Sequence, residues 1–241
     1  MGIKTTKDKY YQNGEYIKVR QNLHNKIVKK FISQKGHNPD LTGLEAVILG
    51  GGSGAGKTSI LKDVIGEDGY VIVDADKIKE EIREYRMLKR AKNPLAADVV
   101  HQESSDIATF LLNRTIDLPE NLIYDGTMKN AEKYQLIISS LKENGYSVHM
   151  VVVDADVEVA VKRVLVRNGE GRFVSEGMVR ESNKLVARSF MELKDLVDSY
   201  TIYDNSINGA SPEEIAFKDP GCEIEIIDQA AFDRFIAKCN L

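Results

Sequence analysis

Residues 50–61 read GGGSGAGKTSIL, with five glycines between positions 50 and 56. Ordering a glycine costs about 0.5–1 kcal/mol more than ordering an alanine. Such a run is kept where backbone must turn sharply or come close to a ligand. Residues 51–58, GGSGAGKT, fit the pattern G-x-x-x-x-G-K-[ST]. Gly51, Gly52, Gly54 and Gly56, with the small Ser53 and Ala55, allow backbone N–H groups to wrap a phosphate. Lys57 is placed to reach the β- and γ-phosphates, and Thr58 to offer its hydroxyl to Mg2+. Ser59 lies in the first turn of the following helix, whose N-terminal partial charge favours an anion. The apolar run AVIL (46–49) precedes the loop and a helical pattern follows. That is the strand–loop–helix setting the motif requires, and it predicts bound ATP with Mg2+.

A strand of this kind needs a sheet around it. Short, nearly continuous apolar runs recur at 70–76 (YVIVDAD), 121–126 (NLIYDG), 147–155 (SVHMVVVDA) and 199–205 (SYTIYDN). Helical patterns separate them: from Lys57, through about Met87, over 95–115, 130–143, 156–167 and 176–197. Apolar strands alternating with helices predict a parallel sheet covered on both faces. Spacing predicts a helix over 14–34, an appendage before residue 40. The segment CEIEIID (222–228) reads as an edge strand, QAAFDRFIAKC as a last helix, and SPEEIAFKDPG as a turn-rich surface loop. The whole reads as a single domain over 1–241: an N-terminal helical extension (1–40), a core (41–206), and a C-terminal strand and helix (207–241).

Composition limits the partners. Of 241 residues, 33 are Lys or Arg and 37 are Asp or Glu, giving a net charge of −4, so an overall nucleic-acid footprint is absent. Two cysteines, Cys222 and Cys239, suit a reducing compartment and no disulfide framework. No clustered histidines or C-x-x-C pair points to a structural metal. The polar N-terminus and the lack of a long apolar run predict a cytoplasmic protein without a membrane span.

The loop does not by itself say where the γ-phosphate goes. A GTPase switch is expected to carry N-K-x-D; the pairs at 25–26 and 183–184 lack the aspartate. An ATPase remains compatible with Asp125 at the end of NLIYD. A kinase needs a base near the acceptor hydroxyl and cations over the triphosphate. Asp74 and Asp76 close a strand at its carboxyl end, where open α/β sheets bind ligands. Asp76 suits a general base, or alternatively the N-cap of the next helix. Arg163 and Arg167 share a helix face, and Arg172 follows in NGEGRF; together they suit a lid, or a solvated basic face. His101 and Glu103 either line an acceptor pocket or belong to a helix surface. A nucleotide-binding regulator without transfer is the reading from outside the enzymes.

Taken in order, VILGGGSGAGKTS, VIVDADKIKEEI, HQESSDIA, NLIYDGTMKN, GEGRFVSEGMV and YTIYDN resemble the zeta-toxin family of P-loop kinases over roughly residues 16–206. The resemblance implies a three-layer α/β/α P-loop kinase-like fold with a mainly parallel sheet of about five strands. It implies transfer of the ATP γ-phosphate to the 3′-hydroxyl of UDP-N-acetylglucosamine, and a small helical antitoxin as partner. Another hydroxyl acceptor, such as a nucleoside, nucleotide or small alcohol, is the alternative. By the same resemblance Asp76, which heads D-x-x-K, matches the catalytic base, and Lys57 and Thr58 the P-loop pair. Thr127 matches the threonine near the sugar nucleotide, with Asp74 and Asp125 beside it. Arg172 matches the second lid arginine and Arg167, or else Arg163, the first. One departure stands out: the family carries glutamate where this chain has Asp125, a reach shorter by about 1.5 Å.

Overall fold

Along β3 (Glu45–Gly51), Ala46, Val47, Ile48 and Leu49 point alternately to opposite faces, yet all four are buried. A strand like that needs a covering layer on each side. The computed structural model describes residues 3–37, 43–168 and 174–240. In it the covering layers are helices. β3 is flanked by β5 (Leu122–Asp125) and β6 (Ser147–Asp154). β4 (Val71–Asp74) lies outside β5, and β7 (Ser199–Asp204) outside β6. These five strands are parallel. β8 (Glu213–Lys218) and β9 (Glu225–Ile226) then extend the sheet antiparallel beyond β7, giving the order β4-β5-β3-β6-β7-β8-β9. This is the mainly parallel α/β sheet that the strand–helix alternation predicts.

One face of the sheet presents Ala46, Ile48, Val148, Met150 and Val152. They pack with α6 (Ala96–Asp117), α7 (Ala131–Glu143), α9 (Glu176–Leu193) and α10 (Gln229–Ala237). The other face presents Val47, Leu49, Val151 and Val153 to Ala55, Ile60 and Leu61. Those belong to the glycine loop and to α3 (Lys57–Ile60), which runs on as a π-helical turn over Leu61–Ile65. α8 (Val157–Asn168) crosses α9, burying Ala160, Val161 and Val164 against Val179.

Three local expectations change. The helix expected over 14–34 begins at Lys18 instead, as α2 (Lys18–Ser33). Residues before it form α1 (Thr6–Tyr10) and a hairpin of β1 (Tyr11–Gln12) and β2 (Glu15–Tyr16). Asn13 and Gly14 both have positive φ, the combination a tight hairpin turn demands. α2 is part of the main core, to which it contributes Ile27, Val28 and Phe31. The helix expected through Met87 is divided into α4 (Ala75–Lys79) and α5 (Arg83–Arg90), with fully buried Ile82 extended between them. The supposed surface loop SPEEIAFKDPG contains β8, because Ile215 and Ala216 are buried when the segment pairs with the open edge of β7. Among the described residues no helix is long and apolar enough to cross a membrane.

Candidate active site

The carboxyl ends of β3, β4 and β5 meet at one place. Register pairs Leu49 with Asp125, and Asp125 with Asp74, so the glycine loop emerges beside two carboxylates. Gly126 donates its N–H to Leu49 O (3.1 Å), which ties the Gly126–Thr127 turn to the root of the loop. Thr127 is half-buried there. Met128 next to it is fully buried with φ 53°, and its N–H donates to the Tyr134 hydroxyl (3.0 Å). The strained residue is held by its burial in the main core and by that bond.

Within the loop, Gly54 and Gly56 have φ of 83° and 96°. A Cβ on Gly54 would stand 2.4 Å from Ala160 O in α8; one on Gly56 would stand 2.0 Å from Asn205 Nδ2. These glycines therefore admit neighbouring protein as well as making room for a phosphate. Lys57 is half-buried and donates to Gly51 O (3.1 Å); Thr58 is exposed.

The two aspartates of DAD divide their tasks. Asp74 is the N-cap of α4: its side chain accepts from Asp76 N–H at 2.7 Å. The capping role considered for Asp76 therefore falls to its neighbour. Asp76 sits in the first helical turn, and Lys79 Nζ donates to its Oδ1 at 2.8 Å. Lys79 is itself buried, while the Asp76 side chain is 47% exposed. A buried ammonium thus orients an accessible carboxylate.

Burial pushes the Asp125 carboxyl up to about 6; Asp74 and Asp76 add to the effect, and Lys57 and Lys77 oppose it. Burial also raises Asp74, with Asp76 adding to the rise. Lys57, Asp74 and Asp76 therefore all act electrostatically on Asp125. His101 is exposed on α6 but within reach of these charges: desolvation and the Lys79 cation hold its imidazole below the ordinary value, against Asp76 and Asp98.

Glu103 is elsewhere. It has no accessible surface, so the acceptor-lining role is corrected. Its Oε1 is 2.6 Å from Arg20 Nε and 2.7 Å from His24 Nε2, and its Oε2 is 2.9 Å from Arg20 Nη2. Arg20 also grips Glu84 of α5 through two bonds (3.0 and 2.9 Å). Burial pushes the Glu103 carboxyl up, but its bonds to His24 and Arg20 outweigh that and hold it at about 2. This network clamps α2, α5 and α6 behind the site. The signal for it was a lone carboxylate in the apolar stripe Val100, Ile107, Leu111 of α6.

Of the arginines, Arg163 reaches the loop: Nη1 donates to Gly54 O (3.3 Å) and Nε to Asn208 Oδ1 (2.7 Å). Burial lowers its guanidinium from the ordinary value. The side chain of Arg167, and Arg172 altogether, lie outside the described residues. Sequence reasoning missed Ser182, Asn183 and Asn205. Ser182 Oγ accepts from Ser53 N–H (3.0 Å), Asn183 Nδ2 donates to Ser53 O (3.4 Å), and Asn205 Nδ2 to Ala55 O (2.8 Å). The only sequence signal for the α9 pair is two polar side chains on the helix's buried face.

A P-loop at the carboxyl end of a parallel sheet, with a lysine-held carboxylate beside it, defines a nucleotide-binding fold of the kinase type. The chain belongs to the zeta toxin family, whose sequence profile matches residues 30–209. It is 27% identical to a calmodulin calcium-dependent NAD kinase of Arabidopsis thaliana, over 78% of this chain and 45% of the relative. It is 25% identical to toxin PezT of Streptococcus pneumoniae, over 58% of this chain and 56% of that one. The chain thus spans about half the length of these relatives. The fold is shared with AvrRxo1-ORF1:AvrRxo1-ORF2 solved with sulphate ions (TM-score 0.76, 18% identity, 99% of this chain and 83% of that one). The same pair has been solved with ATP (TM-score 0.75). It is also shared with the PezAT toxin–antitoxin system of Streptococcus pneumoniae (TM-score 0.68, 16% identity, 94% of this chain and 97% of that one).

Proposed function

We propose that this chain is an ATP-dependent phosphotransferase that moves the γ-phosphate of ATP to a sugar hydroxyl of a nucleotide acceptor. The observation that carries the reading is the Lys79–Asp76 pair just after β4, whose carboxylate acts together with Lys57 on Asp125 at the end of β5. Asp76 takes the proton of the acceptor hydroxyl, a role open to a carboxylate held in place yet accessible. Lys79 keeps it aimed. Lys57 and the loop N–H groups bind the triphosphate, and Lys57 offsets charge on the moving phosphoryl group. Arg163, Arg167 and Arg172 complete the cationic side of this proposal.

The donor set fits Mg2+. The exposed Thr58 hydroxyl and the carboxylates of Asp74 and Asp125 are hard oxygen ligands. Among the described residues no group of three His, Cys, Asp or Glu converges to hold a metal unaided. That suits an ion bound through one or two protein oxygens together with substrate phosphates. When bound, Mg2+ supplies charge neutralisation on the β- and γ-phosphate oxygens.

NAD is the acceptor we favour, because the plant NAD kinase relative aligns with 78% of this chain. UDP-N-acetylglucosamine is the second reading, supported by family membership and by the Gly126–Thr127 turn. The toxin–antitoxin complexes among the structural neighbours support a small helical antitoxin as a partner. The test is incubation of the purified chain with Mg·ATP and each acceptor, followed by mass spectrometry. One acceptor should gain a phosphoryl group as ADP forms. Asp76→Asn should still bind ATP yet transfer about 10²–10⁴-fold more slowly. Wild-type transfer by that variant would remove Asp76 as the base. ADP formation with neither acceptor phosphorylated would overturn both acceptor assignments.

A further inference from the structure

All six carbonyl oxygens from Gly51 to Gly56 accept hydrogen bonds from protein groups. Gly51 O accepts from Lys57 Nζ (3.1 Å), Gly52 O from Ala55 N–H (3.2 Å) and Gly56 O from Ser59 N–H (3.0 Å). The other three are held by side chains from distant elements. Asn183 of α9 takes Ser53 O (3.4 Å), Arg163 of α8 takes Gly54 O (3.3 Å), and Asn205 after β7 takes Ala55 O (2.8 Å). With every carbonyl engaged by protein, and the Ser53 and Ala55 N–H groups bonded to Ser182 Oγ and Gly52 O, an anion-binding nest would be formed by the other N–H groups of the loop.

Two of these donors are buried asparagines, at 2% and 7% exposure. Asn183 Nδ2 also donates to Val179 O (2.8 Å), whereas its Oδ1 is buried without a hydrogen-bond partner. A buried unsatisfied oxygen destabilises the fold. An apolar residue there would avoid that loss, so what recommends asparagine at 183 is its amide donor. Asn205 is anchored in turn, its backbone N–H donating to Asp154 O (2.8 Å). Asp154 is gripped by the buried Lys238 Nζ at 2.6 and 2.7 Å.

We propose that Asn183 and Asn205 are positioning residues that hold the glycine loop, from outside, in its triphosphate-binding conformation. They act by fixing Ser53 and Ala55, so that the loop does not have to be ordered when ATP arrives. The proposal rests on the nucleotide-binding reading above, but its readout does not need turnover or an acceptor.

The experiment titrates the full chain with β,γ-imido-ATP and Mg2+ by calorimetry, for wild type, Asn205→Asp and Asn183→Ala, and records thermal midpoints. Asn205→Asp keeps the shape of the side chain and removes the donor. Asn183→Ala removes the donor and the unsatisfied oxygen together. Each variant should bind the analogue at least tenfold more weakly. Asn183→Ala should do so with a thermal midpoint close to wild type, a split that a merely structural residue would not give. Where transfer is measurable, KM for ATP should rise while KM for the acceptor stays within twofold. If Asn205→Asp does not fold, Asn183→Ala decides alone. Analogue affinity within twofold of wild type in the folded variants would overturn the proposal. Failure of the wild type itself to bind the analogue would overturn the nucleotide reading instead.

Discussion

Asp125 offers a test in which stability and function should move in opposite directions. Its unfolded carboxyl titrates near the ordinary 3.8, and burial between β3 and β4 raises the folded value to about 6. One pKa unit is worth about 1.4 kcal/mol, so keeping this carboxylate ionised in the fold costs up to about 3 kcal/mol. The sign follows from proton counting. Below pH about 3.8 the group is protonated in both states and contributes nothing. Between about 3.8 and 6 the unfolded chain ionises first, and stability falls as pH rises. Above about 6 the loss is complete and constant. Asp125→Asn keeps the shape and removes the titration. The variant should match wild type near pH 4 and exceed it by up to about 3 kcal/mol above pH 6.5. Urea unfolding of both proteins between pH 4 and 8 without nucleotide, fitted with a common slope, reads this directly. Phosphoryl transfer should meanwhile fall, because the lost carboxylate is one of the oxygens proposed to hold Mg2+, and it lies within the reach of Lys57. A gain that is equal at pH 4 and pH 7.5, or a loss at neutral pH, would refute the reasoning.

Two further outcomes test the frame around the site. Gly54→Ala puts a Cβ 2.4 Å from the Ala160 carbonyl at a φ of 83°. It should cost about 1–3 kcal/mol in urea unfolding and weaken ATP-analogue binding strongly; normal binding would mean the loop need not keep this shape. Glu103→Ala leaves Arg20 and His24 buried without their shared carboxylate. The loss should lie near the lower end of about 3–5 kcal/mol, since Glu84 still holds Arg20 through two bonds. In the wild type, the stability that Glu103 adds is fully present above its ordinary 4.5 and is lost as pH falls towards about 2. The gap between wild type and Glu103→Ala should therefore close on acidification, as paired denaturation curves at pH 6 and pH 3 would report.

Strand and helix alternation was legible because each signal is local. An apolar run of four to eight residues, a glycine stop or a helical stripe needs no knowledge of the partner. The same holds for the glycine loop, whose pattern is complete within residues 51–58. Two local signals were present and outweighed: Asn13–Gly14 marks the hairpin that shortens α2, and Asp74 competes with Asp76 for the cap of α4. β8 was hidden for a different reason. Its flanking Pro, Gly and Asp read as turns, and only the open edge of β7 makes the residues between them a strand.

The sequence by itself determined that a glycine loop of the P-loop pattern ends one strand of a parallel sheet, and that aspartates close the neighbouring strands. Tertiary structure decided which groups serve the loop and which merely support it. Glu103 became a core ion pair because α2 brings Arg20 and His24 onto it from about 80 positions away. Asn183 and Asn205 met the loop across 130 and 150 positions of chain. No spacing rule reaches that far: such contacts arise where packed helices and strand ends leave a backbone carbonyl needing a donor, and the carbonyl accepts whichever side chain the fold has brought there.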